Sequence, residues 1–448
     1  MLKNCLLLGS VLIVCLGQLN AVLDPKVVCY YEYWYAYRTG AKDGKMTVDD
    51  IDSTLCTHIV YSYQGIDTDL TVKIMDPWLM KDKHDLEHFA KNKGHAKAMV
   101  AIGGWSGSGP YQQVVSTPAN RQTFVSSVVS YLKTYNHDGL FLDWSGITYS
   151  DDFLELLHLL HQEFQPNHWT LGLTLPSVIP KDFKTDKVDP YIDLIAIQTY
   201  DFHGSWEMEV GLQAPVTWQL DVMSEWFKSG ATMDKLLLTI PFYGHTWLLA
   251  DESKSEPGDK ATGAGPAGPI TQSPGKLGYN ELCRMVKDEP IGWDAHRDEK
   301  EAEIYIVHKK EWITYEDVKS CESKTHLATS LGYGGVVVQA LSNEDYRGEC
   351  GDKYPLLKAV NKGLDKTPVT PPTHPPHPTE PTQPTPDPSR ICKKSGIFKD
   401  PHDCHKYHVC EELFPGIYSD EVKTCPKGEG FDETTLKCID QTKVPGCQ

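Results

Sequence analysis

Eight short apolar runs recur along the chain, each too short for a membrane span. They are VVCYY from position 27, THIVYSY from 57, AMVAIGG from 98, GLFLDW from 139, TLGLTLP from 170, LIAIQTYD from 194, LLLTIPFYG from 236 and GGVVVQAL from 334. Runs of this length, rich in Val, Ile and Leu, read as strands buried on both faces. The stretches RQTFVSSVVSYLKTY and DDFLELLHLLHQEF between them repeat apolar residues at helical spacing. Eight buried strands alternating with helices predict an α/β fold, a (β/α)₈ TIM barrel, over residues 22–366. The segment at about 246–315, between the seventh and eighth runs, is too long for a loop and predicts an inserted α+β subdomain.

Three further segments flank that barrel. Residues 1–21 carry Lys3 and then an apolar core from Leu6 to Leu16. This is the pattern of a secretory signal peptide, too short to span a bilayer. The expected localisation is secreted and extracellular. Residues 367–390 form a Pro/Thr-rich linker, whose stretch 367–388, extended and polyproline-like, spans roughly 65 Å. Its threonines are candidate O-glycosylation sites. Residues 391–448 hold six of the thirteen cysteines, the density of a small disulfide-rich β module. A zinc module is the alternative for six cysteines, but the paired C-x-x-C spacing is missing, so no metal is expected. The formal net charge of -18 argues against nucleic acid and anionic membrane as partners and leaves a neutral polymer open.

In a barrel of this kind chemistry sits at the C-terminal strand ends. The polar residues lie there, in AIGGW (101–105), DGLFLDW (138–144), QTYDFHG (198–204) and PFYG (241–244), with VCYYEYWYAYR (28–38) on the first strand. Five motifs in this order resemble the glycoside hydrolase family 18 chitinases. The C-terminal segment resembles a peritrophin-A type chitin-binding module. Within the chitinase-like proteins the arrangement most resembles the mite chitinase-like allergens.

The resemblance implies a fourth-strand pattern Asp-Gly-x-Asp-x-Asp-x-Glu. Its Glu protonates the glycosidic oxygen, and the preceding Asp holds the substrate's N-acetyl group, which acts as nucleophile. Alternation along a strand puts positions 141, 143 and 145 on one face. Here they are Phe141, Asp143 and Ser145, after Asp138. The proton donor is therefore Ser, and the middle acid is Phe. A hydroxyl is too weak an acid for the role, which typically contributes about 10²–10⁴-fold. These four positions are accordingly degenerate, with no catalytic residue and no cofactor expected. Gln339 stands where the family has a Trp under the central sugar, and Gln198, His245 and Ala101 also depart. The substrate-binding candidates are Trp34, Gly103, Gly104, Trp105, Tyr200, Asp201, Tyr243 and Gln339 in the groove, with Phe414 and Tyr418 on the tail. By resemblance the disulfides are Cys29–Cys56, Cys283–Cys350, Cys392–Cys410, Cys404–Cys447 and Cys425–Cys438, leaving Cys321 unpaired. The expected function is a secreted, non-catalytic chitinase-like protein. It binds chitin or a related N-acetylglucosamine polymer mainly through the tail and is associated with a chitinous matrix. The alternatives are a weak endochitinase, or a structural or interaction protein of a gut lining.

Overall fold

The computed structural model describes residues 25–38, 44–288 and 292–364, and in the C-terminal unit 394, 396–400, 403–410, 412–414, 417–418, 421–444 and 447. The side chains of 105 and 106 and those from 410 to 422 lie outside that description, as do the signal segment and the linker. The chain divides into two units, Met1–Lys366 and Thr367–Gln448.

Every one of the eight apolar runs becomes a strand. The first seven are β1 (Lys26–Glu32), β2 (His58–Ile66), β3 (Lys97–Gly103), β4 (Gly139–Trp144), β5 (Thr170–Leu175), β6 (Leu194–Ile197) and β7 (Leu236–Pro241). The insertion supplies β8 (Tyr243–Leu249), β9 (Ala261–Ala264), β10 (Lys276–Gly278), β11 (Asp294–Asp298), β12 (Glu303–His308) and β13 (Glu311–Tyr315), and β14 (Gly335–Gln339) completes the barrel. β1 pairs in parallel with both β2 and β14, so the sheet closes on itself. The result is a TIM barrel with an inserted α+β subdomain: β8–β13 form a second, antiparallel sheet with the helix Tyr279–Asp288.

Strand alternation sorts the side chains. Val28 and Tyr30 of β1, Met99 and Ala101 of β3, Phe141 of β4 and Ala196 of β6 pack together inside the barrel. Leu140, Leu142 and Trp144 point the other way, and Trp144 stacks on Tyr111 at 4.9 Å between ring centroids. The helices outside start where their caps dictate. Thr117 accepts from the Asn120 amide ahead of Pro118–Tyr135, and Ser150 accepts from the Phe153 amide ahead of Asp151–Phe164. Two acids in the first turn of the latter match the positive end of its dipole.

A buried charge network ties the insertion to the barrel. Glu303 accepts the amides of Gln213 (3.0 Å) and Ala214 (3.1 Å) and the Thr314 hydroxyl (2.6 Å). Lys324, fully buried, pairs with Glu316 and donates to the Ala214 carbonyl at 2.6 Å. Gln213 in turn donates to the Tyr243 carbonyl at 2.6 Å, which fixes the strand that carries Tyr243 and His245. Cys29 is bonded to Cys56 and Cys283 to Cys350, while Cys321 is buried and unpaired.

In the C-terminal unit a three-stranded antiparallel sheet (Gly396–Lys399, Lys406–Cys410, Glu421–Thr424) and a hairpin (Glu429–Asp432, Lys437–Asp440) are held by Cys404–Cys447 and Cys425–Cys438. Phe431 is buried and stacks on Tyr407 at 4.5 Å, so both rings serve the small core. The Cys392–Cys410 expectation and the side chains of Phe414 and Tyr418 lie outside the described residues.

Candidate functional site

A cavity of about 620 Å³ opens at the C-terminal end of the barrel. Trp34, Gly103, Gly104, Asp143, Ser145, Tyr200, Asp201, Tyr243 and Gln339 all line it. The Trp105 side chain lies outside the described residues. Asp138 lies at the opposite end of β4. Its carboxylate pairs with Lys93 at 2.6 Å and accepts the Ala98 amide at 2.8 Å, so it pins β4 to its neighbours and has no part in the cavity.

The three inward positions of β4 have different fates. Phe141 is fully buried in the barrel interior, 5.8 Å from the Tyr30 ring centroid. Its partner on β5 is Gly172, where a Cβ would lie 2.5 Å from the Phe141 ring. The benzyl group thus fills space that only glycine leaves free. Asp143 is 5% exposed. Burial pushes its carboxyl up to about 6, and hydrogen bonds from the Thr174 and Tyr63 hydroxyls moderate the shift. Gly103 lies beside it with φ at +118°, and a Cβ there would sit 2.1 Å from the Asp143 carbonyl oxygen, so the strands can approach only with glycine. Ser145 faces the cavity, and its backbone amide donates to the Ser108 hydroxyl at 2.8 Å. That amide is committed and cannot serve an oxyanion.

A second cluster occupies the other side. Asp201 adopts a left-handed backbone, φ 57°, and two side chains hold it there. The Tyr243 hydroxyl donates to it at 2.7 Å and His245 Nε2 lies at 2.8 Å. Burial alone would raise the Asp201 pKa, but the hydrogen bond and charge of His245, with Lys276 and Tyr243, hold it below the usual range. Lys276, from the insertion, sits 3.5 Å over the Tyr243 ring.

The floor is polar. Gln339 donates to Glu32 at 3.3 Å, and Ser342 donates to the same carboxylate at 3.4 Å. Burial raises the Glu32 pKa, against the opposing charges of Lys276 and Arg38. At the mouth, Trp34 is exposed and stacks on Tyr63 at 6.2 Å with the rings 15° from parallel. Sequence reasoning missed Glu32, Tyr63 and Lys276 as lining residues. Glu32 carried a signal, since it is an acid at the C-terminal end of a buried strand. Lys276 carried none, because a remote insertion delivers it.

Among the described residues, two clusters have metal-ligand spacing, Cys404 with His405 and Cys447, and Cys283 with Asp345 and Cys350. Each is built on a disulfide, so its sulfurs are not available as thiolates.

Residues 26–344 match the glycosyl hydrolases family 18 profile. The chain belongs to that family. Residues 392–447 match the chitin binding peritrophin-A domain. The chitinase-like mite allergen Der p 18.0101 of Dermatophagoides pteronyssinus is 40% identical, over 95% of each chain. The solved Ostrinia furnacalis Group IV chitinase is 32% identical with a TM-score of 0.72, covering 76% of this chain and 100% of that one. Human YKL-39, described as a pseudo-chitinase with retained chitooligosaccharide binding properties, is 29% identical with a TM-score of 0.67, covering 76% and 99%. The family-18 unit and the chitin-binding module together support binding of chitin-type polymers.

Proposed function

We propose that this chain is a secreted, catalytically silent chitinase-like protein that binds chitin mainly through residues 391–448. One observation carries the loss of catalysis: the cavity residue two positions beyond Asp143 is Ser145, a hydroxyl where the family pattern has its proton donor. Phe141 adds to this, because a buried ring has replaced the middle acid. Secretion rests on the apolar segment 6–16 and on disulfides that need an oxidising compartment.

The groove candidates are Trp34, Gly103, Gly104, Trp105, Tyr200, Asp201, Tyr243 and Gln339. Their aromatic faces suit a sugar chain, while the Gln339–Glu32 floor offers no stacking surface. The tail supplies the larger share of affinity, with Phe414 and Tyr418 as its candidate stacking residues. Retention on colloidal chitin tests the division of labour, using the full chain, residues 22–366 and residues 391–448. The full chain should be held at least as well as the tail, and 22–366 far less. Equal retention of 22–366 and the full chain would refute it. Chitin is uncharged, so retention should change little with salt.

A weak hydrolase is the second reading, favoured by the Asp143 carboxyl, pushed up to about 6 and so within reach of acid catalysis. Turnover of a chitin oligomer above background, even below the ordinary range of about 1–10³ per second, would establish it over the first.

A further inference from the structure

A second cavity, of about 380 Å³, opens at the end of the barrel where the strands begin. Lys26, His58, Lys97, Thr170 and Leu194 line it, and each is the first residue of its strand, β1, β2, β3, β5 and β6 in turn. Alternation fixes where they point. Val28, Val60, Met99 and Ala196, two residues further along β1, β2, β3 and β6, pack inside the barrel, so the first residues share that inward face. The layers inside such a barrel are ordinarily filled by branched apolar side chains. Here the end layer holds two lysines, a histidine and a threonine.

The lining is rich in donors and poor in negative charge. Lys97 is exposed, and its Nζ donates to a neutral partner, the Thr170 hydroxyl, at 2.7 Å. His58 and Thr170 are buried, so part of the wall is fixed by the fold and not by surface side chains alone. The turn after the helix Asp151–Phe164 adds the exposed His168 and the half-buried Trp169, whose ring meets Phe164 at 5.5 Å, edge to face. Asp193 is the one carboxylate among the described lining residues, and it accepts the Leu171 amide at 2.8 Å. With the imidazoles neutral, Lys26 and Lys97 stand against Asp193, a positive balance in a chain of net charge -18.

A ligand that suits this lining is negative and accepts hydrogen bonds on several sides. It is also compact, because the volume is at the small end of ligand cavities, about 300–1,000 Å³. A tetrahedral oxyanion directs its oxygens several ways, as donors drawn from several strands and a turn require, and bonds from a lysine to it are charge-assisted. We propose that the N-terminal mouth of the barrel binds a sulfate or phosphate group, free or carried as an ester on one sugar. This site lies at the opposite end of the barrel from the groove and does not depend on what the groove holds.

Nitrogen-15 spectra of the full chain test this at the Trp169 indole N–H, assigned by its loss in Trp169→Phe. The probes are inorganic phosphate, inorganic sulfate, and the 6-phosphate and 6-sulfate of N-acetylglucosamine, with N-acetylglucosamine itself as the uncharged control. The anions should move the resonance saturably, less tightly at high salt, and the control should not. Lys97→Met keeps the aliphatic stem and removes the charge; it should weaken the anions about tenfold. Asp193→Asn keeps an acceptor for the Leu171 amide and removes the negative charge; it should tighten them about fivefold. These opposite signs separate a charge site from a loss of structure. Should Lys97→Met not fold, His168→Ala on the exposed turn takes its place, with a loss of about fivefold. Esters that bind more tightly than the bare ions assign a sugar-borne group, and equal binding assigns the free ion; both support the site. No movement with any anion, equal movement with the uncharged control, or affinities unchanged in Lys97→Met and Asp193→Asn overturns the proposal and leaves these residues as the polar plug of the barrel.

Discussion

Replacing Asp143 by Asn should stabilise the barrel at neutral pH, and the gain should vanish in acid. The Asp143 pKa is raised from 3.8 to about 6, chiefly by burial. A carboxyl raised on folding binds its proton more tightly in the folded state. Its contribution to stability is therefore full below the unfolded value and is lost as pH rises through about 6. A shift of about two units corresponds to roughly 3 kcal/mol of cost at neutral pH relative to acid. Asn keeps the shape, and its carbonyl oxygen can still accept from the Tyr63 and Thr174 hydroxyls. Its amide N–H groups lack acceptors, a penalty of about 1 kcal/mol at every pH. The net gain near pH 8 is then about 2 kcal/mol, turning into a loss of about 1 kcal/mol near pH 4.

Thermal unfolding of the wild type and Asp143→Asn across that range reads the difference directly. Unfolding entropy of about 2.1 cal/mol/K per residue converts the full 3 kcal/mol swing into about 4 °C for a unit of this size. Burial also raises Glu303 to about 7 and Glu344 to about 8, but these groups are present in both proteins and cancel in the difference. Parallel melting profiles, or a variant less stable near pH 8 than near pH 4 relative to wild type, would refute the claim that Asp143 is held unpaired and desolvated.

Three further outcomes follow from the same geometry. Ser145→Glu should yield no chitin-oligomer turnover above background by reducing-end assay, because Phe141 and Gln339 still depart from the family pattern; turnover near 1 per second would contradict this. Gly172→Ala should cost about 1–3 kcal/mol and Phe141→Ala about 3–5 kcal/mol in denaturant unfolding, while the double variant costs clearly less than their sum, since each Cβ and ring compete for one space. Cys321 should resist alkylation in the native protein and take one label on unfolding without reduction, as peptide mapping would show; a Cys321 disulfide would overturn the pairing.

The barrel was legible because its eight strands are buried on both faces and so appear as unbroken apolar runs. The insertion was legible as an excess of chain between two such runs. The shared face of 141, 143 and 145 on β4 was legible from alternation, while reading Phe141 and Ser145 as departures needed the resemblance to the family pattern. The same alternation puts Asp138 out of line with them, and its pairing with Lys93 at the far end of the strand is the physical consequence. Hidden from the sequence were contacts that join distant segments. Lys276 reaches Tyr243 from β10 of the insertion, and Gln339 meets Glu32 across the barrel seam between β14 and β1. No local pattern encodes such meetings; closure of the sheet creates them.

That closure also gives the three departures on the groove a joint meaning. Phe141 takes a charge out of the barrel interior and fills the space beneath Asp143. Ser145 takes a second carboxylate away from its mouth side. Gln339 turns the floor towards Glu32 and makes it polar. Together they convert a row of carboxylates, in which neighbours tune one another's protons, into a single desolvated one held by hydroxyls. Such a group is poorly suited to passing a proton along a row and well suited to holding a donor. On the proposed reading the chemistry left in the groove is that of recognition, with Asp143 held by the Tyr63 and Thr174 hydroxyls.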